Sequence, residues 1–334
     1  MNVSMWLKAV NVIPRVSKDE WNALDVISRW LIATRSAVLV MTFISAAIAG
    51  LLAARDGHFH FLLWLLVTVG LLFAHATNNL LNDITDHIKG VDKDNYFRAQ
   101  YGPQPLEHGL MTRGQAWLYA VVTGLIALAA GCALVALRGE ATLVLLGVGA
   151  FFVLFYTWPL KYIGLGEVAV ILVWGPLMVG GGYYEITGTI SWSVILASLP
   201  VALAATTVLF GKHIDKLDAD AAKGIRTMPV LLGEARARRA TIVMFTLEYL
   251  LTAALVLSGA LSVLLLAVLG ALPWYWRALK VYQQPRPAGP PPAYPPNIWP
   301  LWYAAFAFQH TRRFGSLFLL GLTLDVIGRQ IGLL

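Results

Sequence analysis

The chain has 334 residues, of which 58% are hydrophobic and 13% charged, and a formal net charge of +7. A charged share about half that of a soluble domain, with a mean hydropathy of +0.68, excludes a disordered chain, a nucleic-acid-binding domain and an ordinary cytosolic enzyme. It marks an integral membrane protein. The single cysteine, Cys132, excludes a disulfide framework and a Cys-based metal cluster.

Residues 1–34 mix Lys8, Arg15, Lys18 and Arg29 with Trp6, Trp21 and Trp30. No apolar run followed by a small-residue cleavage site marks a signal peptide. The segment reads as one or two interfacial amphipathic helices, with a poorly ordered tail to about Ser17 as the alternative. Apolar runs near the roughly 20 residues a helical span needs follow at 35–54, 61–81, 116–137, 141–158, 165–184, 192–210, 240–259, 260–276 and 314–334. They are too long and too uniformly apolar for barrel strands. The expectation is an all-α polytopic membrane domain over 35–334 with nine transmembrane helices. Half of the 16 prolines lie in 285–300, so 284–300 reads as a stiff extended cytoplasmic linker. The aromatic stretch Ile298–Phe308 reads as an interfacial helix leading into the last span.

Charge gives the orientation. With the N-terminus in the cytoplasm, 22 of the 25 Lys and Arg fall in inside segments, and only Arg55, Arg138 and Arg329 lie outside. The split predicts N-in, C-out and explains the +7 without nucleic acid. The outside connections are short and the inside ones long and polar. The chemistry is therefore expected on the cytoplasmic side of the cell membrane.

Seven of the 18 acids crowd two short windows, each at the cytoplasmic end of an apolar run. In the first, Asn79, Asn82, Asp83 and Asp86 are spaced i, i+3, i+4, i+7, one polar stripe on a helix, and His75 extends it a turn deeper. Polar groups there are costly unless they line a cavity. They offer the oxygen ligands that Mg²⁺ takes, one or two carboxylates plus phosphate and water. In the second, Asp215 and Asp218 share a face, whereas Asp220 points elsewhere unless the helix has ended. Lys212, Lys223 and Arg226 add cations, which suits a divalent-metal diphosphate. Two solvated loops with ordinary helix-end acids are the alternative. His87, His108 and His213 read as loop residues without zinc spacing. Gly175-Pro176 and Gly180–Gly182 read as close helix packing or a kink. Glu248 and Asp325 lie within spans and carry no assigned role.

These residues resemble the UbiA-type intramembrane prenyltransferase superfamily, nearest its 1,4-dihydroxy-2-naphthoate branch. The resemblance rests on Asn82-Asp83-x-x-Asp86-x-x-Lys89-Gly90-x-Asp92, Tyr101-Gly102-Pro103, Gly109–Thr112, Tyr156-Thr157-x-Pro159-x-Lys161, Gly164–Glu167 and Gly224–Val230. It covers about 29–334 and implies nine helices around a central cavity, with Asp-rich motifs after helices 2 and 6. It also implies transfer of a prenyl group from a polyprenyl diphosphate to an aromatic acceptor in the bilayer. Asp83 and Asp86, with Asn82 and Asn79, would hold one Mg²⁺, and Asp215, Asp218 and Asp220 a second. Lys89, Lys161, Lys212 and Arg226 would clamp diphosphate. Arg35, His75, Arg98 and Tyr156 would contact substrate, with His75 as a satisfied polar residue inside the bundle as its alternative, and Phe73, Tyr156 and Trp174 are candidate walls around an allylic cation, with lipid-facing or core packing as the alternative for each. Some positions depart from the pattern. The family's Asp-x-x-x-Asp places an acid at position 216, which is Lys216 here, and Ser36 stands in place of a proline. Other acceptors, a terpene cyclase and a cation or solute transporter are the competing classes.

Overall fold

The computed structural model describes residues 2–91, 93, 102–292, 294–295 and 299–333. Among them the chain is all-helical, with 77% helix and no strand. The N-terminal segment forms three capped helices. In α1 (Val3–Asn11) the Asn2 side chain accepts from the Met5 N–H. In α2 (Lys18–Ala23) Ser17 and Glu20 form a capping box, and Asp25 caps α3 (Val26–Ala33).

Among the described residues seven helices are long and apolar enough to cross a membrane: α4 (Ser36–Arg55), α5 (Phe61–Ile88), α6 (Arg113–Arg138), α8 (Gly166–Thr187), α9 (Trp192–Asp215), α12 (Glu234–Leu257) and α13 (Val263–Tyr282). The other two expected spans coincide with the shorter α7 (Glu140–Phe155) and with α14 (Tyr303–Gln330). Short helices α10 (Leu217–Ala222) and α11 (Met228–Leu232) join α9 to α12. One difference from expectation lies in α14. Its aromatic start is the same continuous helix as the last span, because no proline interrupts it after Trp302. Another lies in α13, which is 3-10 from Val263 to Ala271 and α-helical only from Leu272, with Pro273 in its first turn.

The chain divides into two compact units, Met1–Phe43 with Leu66–Pro159, and Ile44–Leu65 with Leu160–Leu334. In the first, Ala9, Trp21, Leu24, Ile32, Leu80 and Ile84 share a core that ties the N-terminal helices to α5. Lys18 donates to the Gly109 and Leu110 carbonyls, and Trp30 Nε1 donates to Thr123 Oγ1 at 2.9 Å. The outer face of α6 presents Trp117, Leu118, Val121 and Leu125, the surface a lipid-facing helix needs.

The second unit holds two cores, one around Ile48, Val179, Leu265 and Phe314 and one around Phe245, Tyr282 and Tyr303. In α8 the nine residues Val173–Gly181 form a π-helix containing Pro176. A proline lacks the N–H of a regular turn and collides with the carbonyl four residues back, and the wider turn relieves both. A Cβ on Gly175 would lie 3.0 Å from Ala202 Cβ, and one on Gly180 3.0 Å from Ile195 Cγ1. The expected close packing is therefore against α9. Glu248 of α12 is fully buried with His310 Nδ1 at 3.7 Å, and Asp325 pairs with Arg329 at 3.0 Å.

Candidate active site

The first acidic stripe occupies the last turns of α5, with Asn79, Asp83 and Asp86 all buried. Each asparagine uses its amide nitrogen on a neighbour. Asn78 donates to Val153 O at 2.9 Å, Asn79 to Thr34 O at 2.8 Å and Asn82 to Thr157 Oγ1 at 3.1 Å. The carboxamide oxygens are thereby turned to the other side of each group. Arg35, between α3 and α4, has a φ of 55°, a left-handed conformation that costs a non-glycine residue about 1–2 kcal/mol. From there its Nη2 donates to Asn79 O at 2.9 Å and lies 3.3 Å from Asp83 Oδ1. Strain kept at one arginine to reach an acidic motif is typical of functional positions. His75 meets Thr42 Oγ1 at 2.7 Å. Lys89 Nζ sits 5.0 Å over the Trp158 ring, and Tyr156 follows the last turn of α7. Phe73 packs on Trp30 at 5.3 Å. Arg98, Asp92 and Tyr101 lie outside the described residues. His87 is helical and meets Glu107 at 2.6 Å.

Mg²⁺ binds through one or two carboxylates and keeps its remaining positions for phosphate and water. The oxygen-rich face of Asn82, Asp83 and Asp86 fits that demand. Among the described residues no three His, Cys, Asp or Glu side chains converge into a closed metal cage.

The second motif is organised differently. Helix α9 ends at Asp215, Lys216 adopts a non-helical backbone, and α10 starts at Leu217. Asp215 and Asp218 therefore do not share a face. Asp218 is exposed, while Asp215 and Asp220 are both buried. Asp215 closes the start of α14: its Oδ1 accepts from the Tyr303 N–H at 2.9 Å, and its Oδ2 from Trp302 and Ala304 at 3.0 Å each. Gly211 makes this approach possible, since a Cβ there would lie 2.8 Å from Ala304 N and Tyr303 C. Lys216 Nζ pairs with Asp220 Oδ1 at 2.8 Å, and both side chains are buried. This donor set does not fit a divalent ion as the α5 stripe does. Lys212 is half-buried on α9 and Arg226 exposed. Lys161 is buried in a short 3-10 turn, 6.0 Å from the Tyr162 ring.

Sequence reasoning missed Glu167 as a site-building residue. It is buried at the start of α8, binds His213 Nδ1 at 2.5 Å and accepts from the Met228 N–H at 3.3 Å, so it ties α8, α9 and α11 together. His213 is accordingly a buried helical residue and not a loop residue. The available signal was a lone acid opening an apolar run.

The description of the UbiA prenyltransferase family matches residues 43–302. The chain belongs to this family. As a UbiA protein it is a prenyltransferase and a multi-pass membrane protein. It is 32% identical over 222 residues to the 1,4-dihydroxy-2-naphthoate octaprenyltransferase of Escherichia coli (63% of this chain, 70% of that one). It is 28% identical over 257 residues to the 2-carboxy-1,4-naphthoquinone phytyltransferase of Synechocystis (73% and 79%). The structure of a UbiA homolog from Archaeoglobus fulgidus bound to GPP and Mg²⁺ superposes with a TM-score of 0.59 at 17% identity, covering 89% of this chain and 99% of that one. The likeness establishes the UbiA fold.

Proposed function

We propose that this UbiA protein transfers a prenyl group from a polyprenyl diphosphate to 1,4-dihydroxy-2-naphthoate or a closely related quinone precursor. The observation that carries this reading is the buried Asn79-Asn82-Asp83-Asp86 stripe with Arg35 held against it, in a chain whose relatives include two naphthoate-type prenyltransferases. Asp83 and Asp86, with Asn82, hold a Mg²⁺–diphosphate head group. When bound, Mg²⁺ supplies charge neutralisation for the departing diphosphate. Arg35 orients Asp83, and Lys89, Lys161, Lys212, Arg226 and Arg98 offer further positive charge. As the C1–O bond breaks, its electron pair leaves with the diphosphate. The allylic cation is kept from water by the surrounding apolar helices, and an electron-rich ring carbon of the acceptor attacks it. His75 and Tyr156 contact substrate. The protein lies in the cell membrane, N-in and C-out, with both acidic motifs on the cytoplasmic side. The 22-to-3 partition of its cationic residues supports this orientation.

The test is diphosphate release by the purified protein from geranylgeranyl diphosphate and Mg²⁺, with and without 1,4-dihydroxy-2-naphthoate. Acceptor-dependent release that Asp83→Ala abolishes is expected. Release without acceptor would make the protein a cyclase or hydrolase. Activity only with 4-hydroxybenzoate or homogentisate would move it to another branch.

A further inference from the structure

Arg277 and Lys280 of α13 and Arg312 and Arg313 of α14 are exposed cations outside both acidic motifs. Helices α12, α13 and α14 all belong to the second compact unit, and contacts within it gather one end of each. Arg238 Nη1, near the start of α12, donates to Tyr282 O at the end of α13 at 3.0 Å. The Tyr303 hydroxyl, at the start of α14, meets Gln284 O at 2.8 Å and Glu234 Oε1 at 3.1 Å. On α13, Trp274, Arg277 and Lys280 are spaced i, i+3, i+6, so neighbours in that row have Cβ atoms about 5–6 Å apart. The guanidinium carbon of Arg313 sits 5.0 Å from the centroid of the Trp274 ring, a cation–π distance. Two exposed guanidinium groups, Arg277 and Arg313, therefore flank one half-buried indole. Among the described residues the ion pairs of these helices are Glu234–Arg238, Glu248–His310 and Asp325–Arg329, and none involves Arg277, Lys280 or Arg313.

This charge stands at a boundary. The apolar run 314–334 starts one residue after Arg313, and the run 260–276 ends one residue before Arg277. From Arg313 the same face of α14 continues through Ser316 to exposed Leu320 and Leu324, at i+3, i+7 and i+11. Trp276 on α13 is 54% exposed. Cations beside an indole, followed along one face by exposed apolar side chains, match an amphiphile with an anionic head and acyl tails. A general excess of cations at this end of the spans accounts for the charge, but not for Arg313 stacked on Trp274 beside Arg277.

We propose that Trp274, Arg277 and Arg313 form a binding site for an anionic phospholipid, whose phosphate is held by both guanidinium groups and whose acyl chains lie along Leu320 and Leu324. Lys280, one turn further, adds positive charge beside the rest of the headgroup. Arginine suits this place because its planar fork meets phosphate oxygens in pairs while its weakly hydrated face rests on an aromatic ring. A choline headgroup brings its own cation and is disfavoured there. The site goes beyond prenyl transfer and does not depend on it.

The experiment is native mass spectrometry of the full-length protein released from detergent micelles, titrated with phosphatidylglycerol or with phosphatidylcholine of the same acyl chains. Wild type is expected to bind phosphatidylglycerol at least about tenfold more tightly, the preference that two juxtaposed cations supply. Arg277→Gln combined with Arg313→Gln should abolish the preference. Arg313→Lys keeps the charge but loses the fork and the stacking, and should weaken the preference by about threefold. Arg236→Gln with Arg239→Gln removes exposed charges from the start of α12, at the same end, and should leave the preference intact. An equal loss in that control would reduce the effect to diffuse charge and overturn the site. Equal affinity of the wild type for the two lipids would overturn it whether or not any variant folds. Inorganic phosphate or geranylgeranyl diphosphate retained at Arg277 and Arg313 in place of phosphatidylglycerol would likewise overturn the lipid assignment.

Discussion

Replacing Asp215 by alanine separates two roles that a motif aspartate can have. Its carboxylate receives three N–H donors at 2.9–3.0 Å from the first turn of α14. Tyr303 and Ala304 are buried, so water cannot replace the lost acceptor. A hydrogen bond to a charged acceptor contributes about 1.5–3 kcal/mol. Allowing for partial relaxation, Asp215→Ala should cost about 4–6 kcal/mol, a large share of the about 5–15 kcal/mol that stabilises a typical domain. In asparagine a single oxygen can replace Oδ2 and keep the Trp302 and Ala304 bonds. Its NH₂ then faces the Tyr303 N–H, so Asp215→Asn should cost about 2–3 kcal/mol. The assay is the unfolding midpoint in detergent, followed by intrinsic fluorescence. At about 2–4 °C per kcal/mol, alanine should lower it by on the order of 10 °C and asparagine by roughly half of that. An alanine variant with a wild-type midpoint but no activity would refute the reasoning, because the carboxylate would then serve the substrate and not the helix.

Four further outcomes follow from the same geometry. Gly211→Ala pushes a methyl into the backbone of 303–304 and should lower the unfolding midpoint by several degrees, for a cost of about 1–3 kcal/mol; an unchanged midpoint would deny the close approach. Arg35→Gly relieves the left-handed backbone but removes the guanidinium beside Asp83, so stability should hold or rise while prenyl transfer falls at least about tenfold, read as turnover at saturating Mg²⁺. Glu248→Gln removes a fully buried ionisable group and should leave the midpoint unchanged or raised; a marked fall would reveal a required charge. Asp25 is pushed up by burial, but hydrogen bonds from Ser28, Asn2 and Trp6 outweigh this and hold its carboxyl well below the usual range. Its contribution is thus present above the unfolded-state value and lost as pH falls through the folded one. Proteolysis within residues 2–24 should accelerate only at strongly acidic pH in the wild type, and already at neutral pH in Asp25→Ala.

Much of the architecture was legible because a span is encoded locally. Length and hydropathy located α4, α5, α6 and α9 to within a few residues at most of their ends, and the i, i+3, i+4, i+7 stripe put Asp83 and Asp86 on one buried face of α5. What escaped depends on partners distant in sequence. Nothing near residue 215 announces that its carboxylate closes a helix starting at 303. The periodicity that paired Asp215 with Asp218 assumed a helix that stops at Lys216. Glu167 and His213 are 46 residues apart and read as unrelated until α8 and α9 pack together. The N-terminal segment, by contrast, carried its own signals in Ser17, Glu20 and Asp25, which are local capping chemistry.

The π-helical stretch around Pro176 acts as an inserted register shift. An α-helix advances about 100° per residue, so a turn that absorbs one extra residue rotates everything beyond it by that angle relative to an uninterrupted helix. Tyr183, just past the wide segment, donates from its hydroxyl to Asp56 Oδ2 at 2.8 Å, and Asp56 in turn holds Arg55 at 2.8 Å. The polar end of α8 is therefore aimed by the bulge nearer its middle. Deleting one residue between Val173 and Gly181 would preserve composition and hydropathy almost unchanged, yet would swing Tyr183 off Asp56. In this helix the number of residues, as much as their identity, determines which side chains meet.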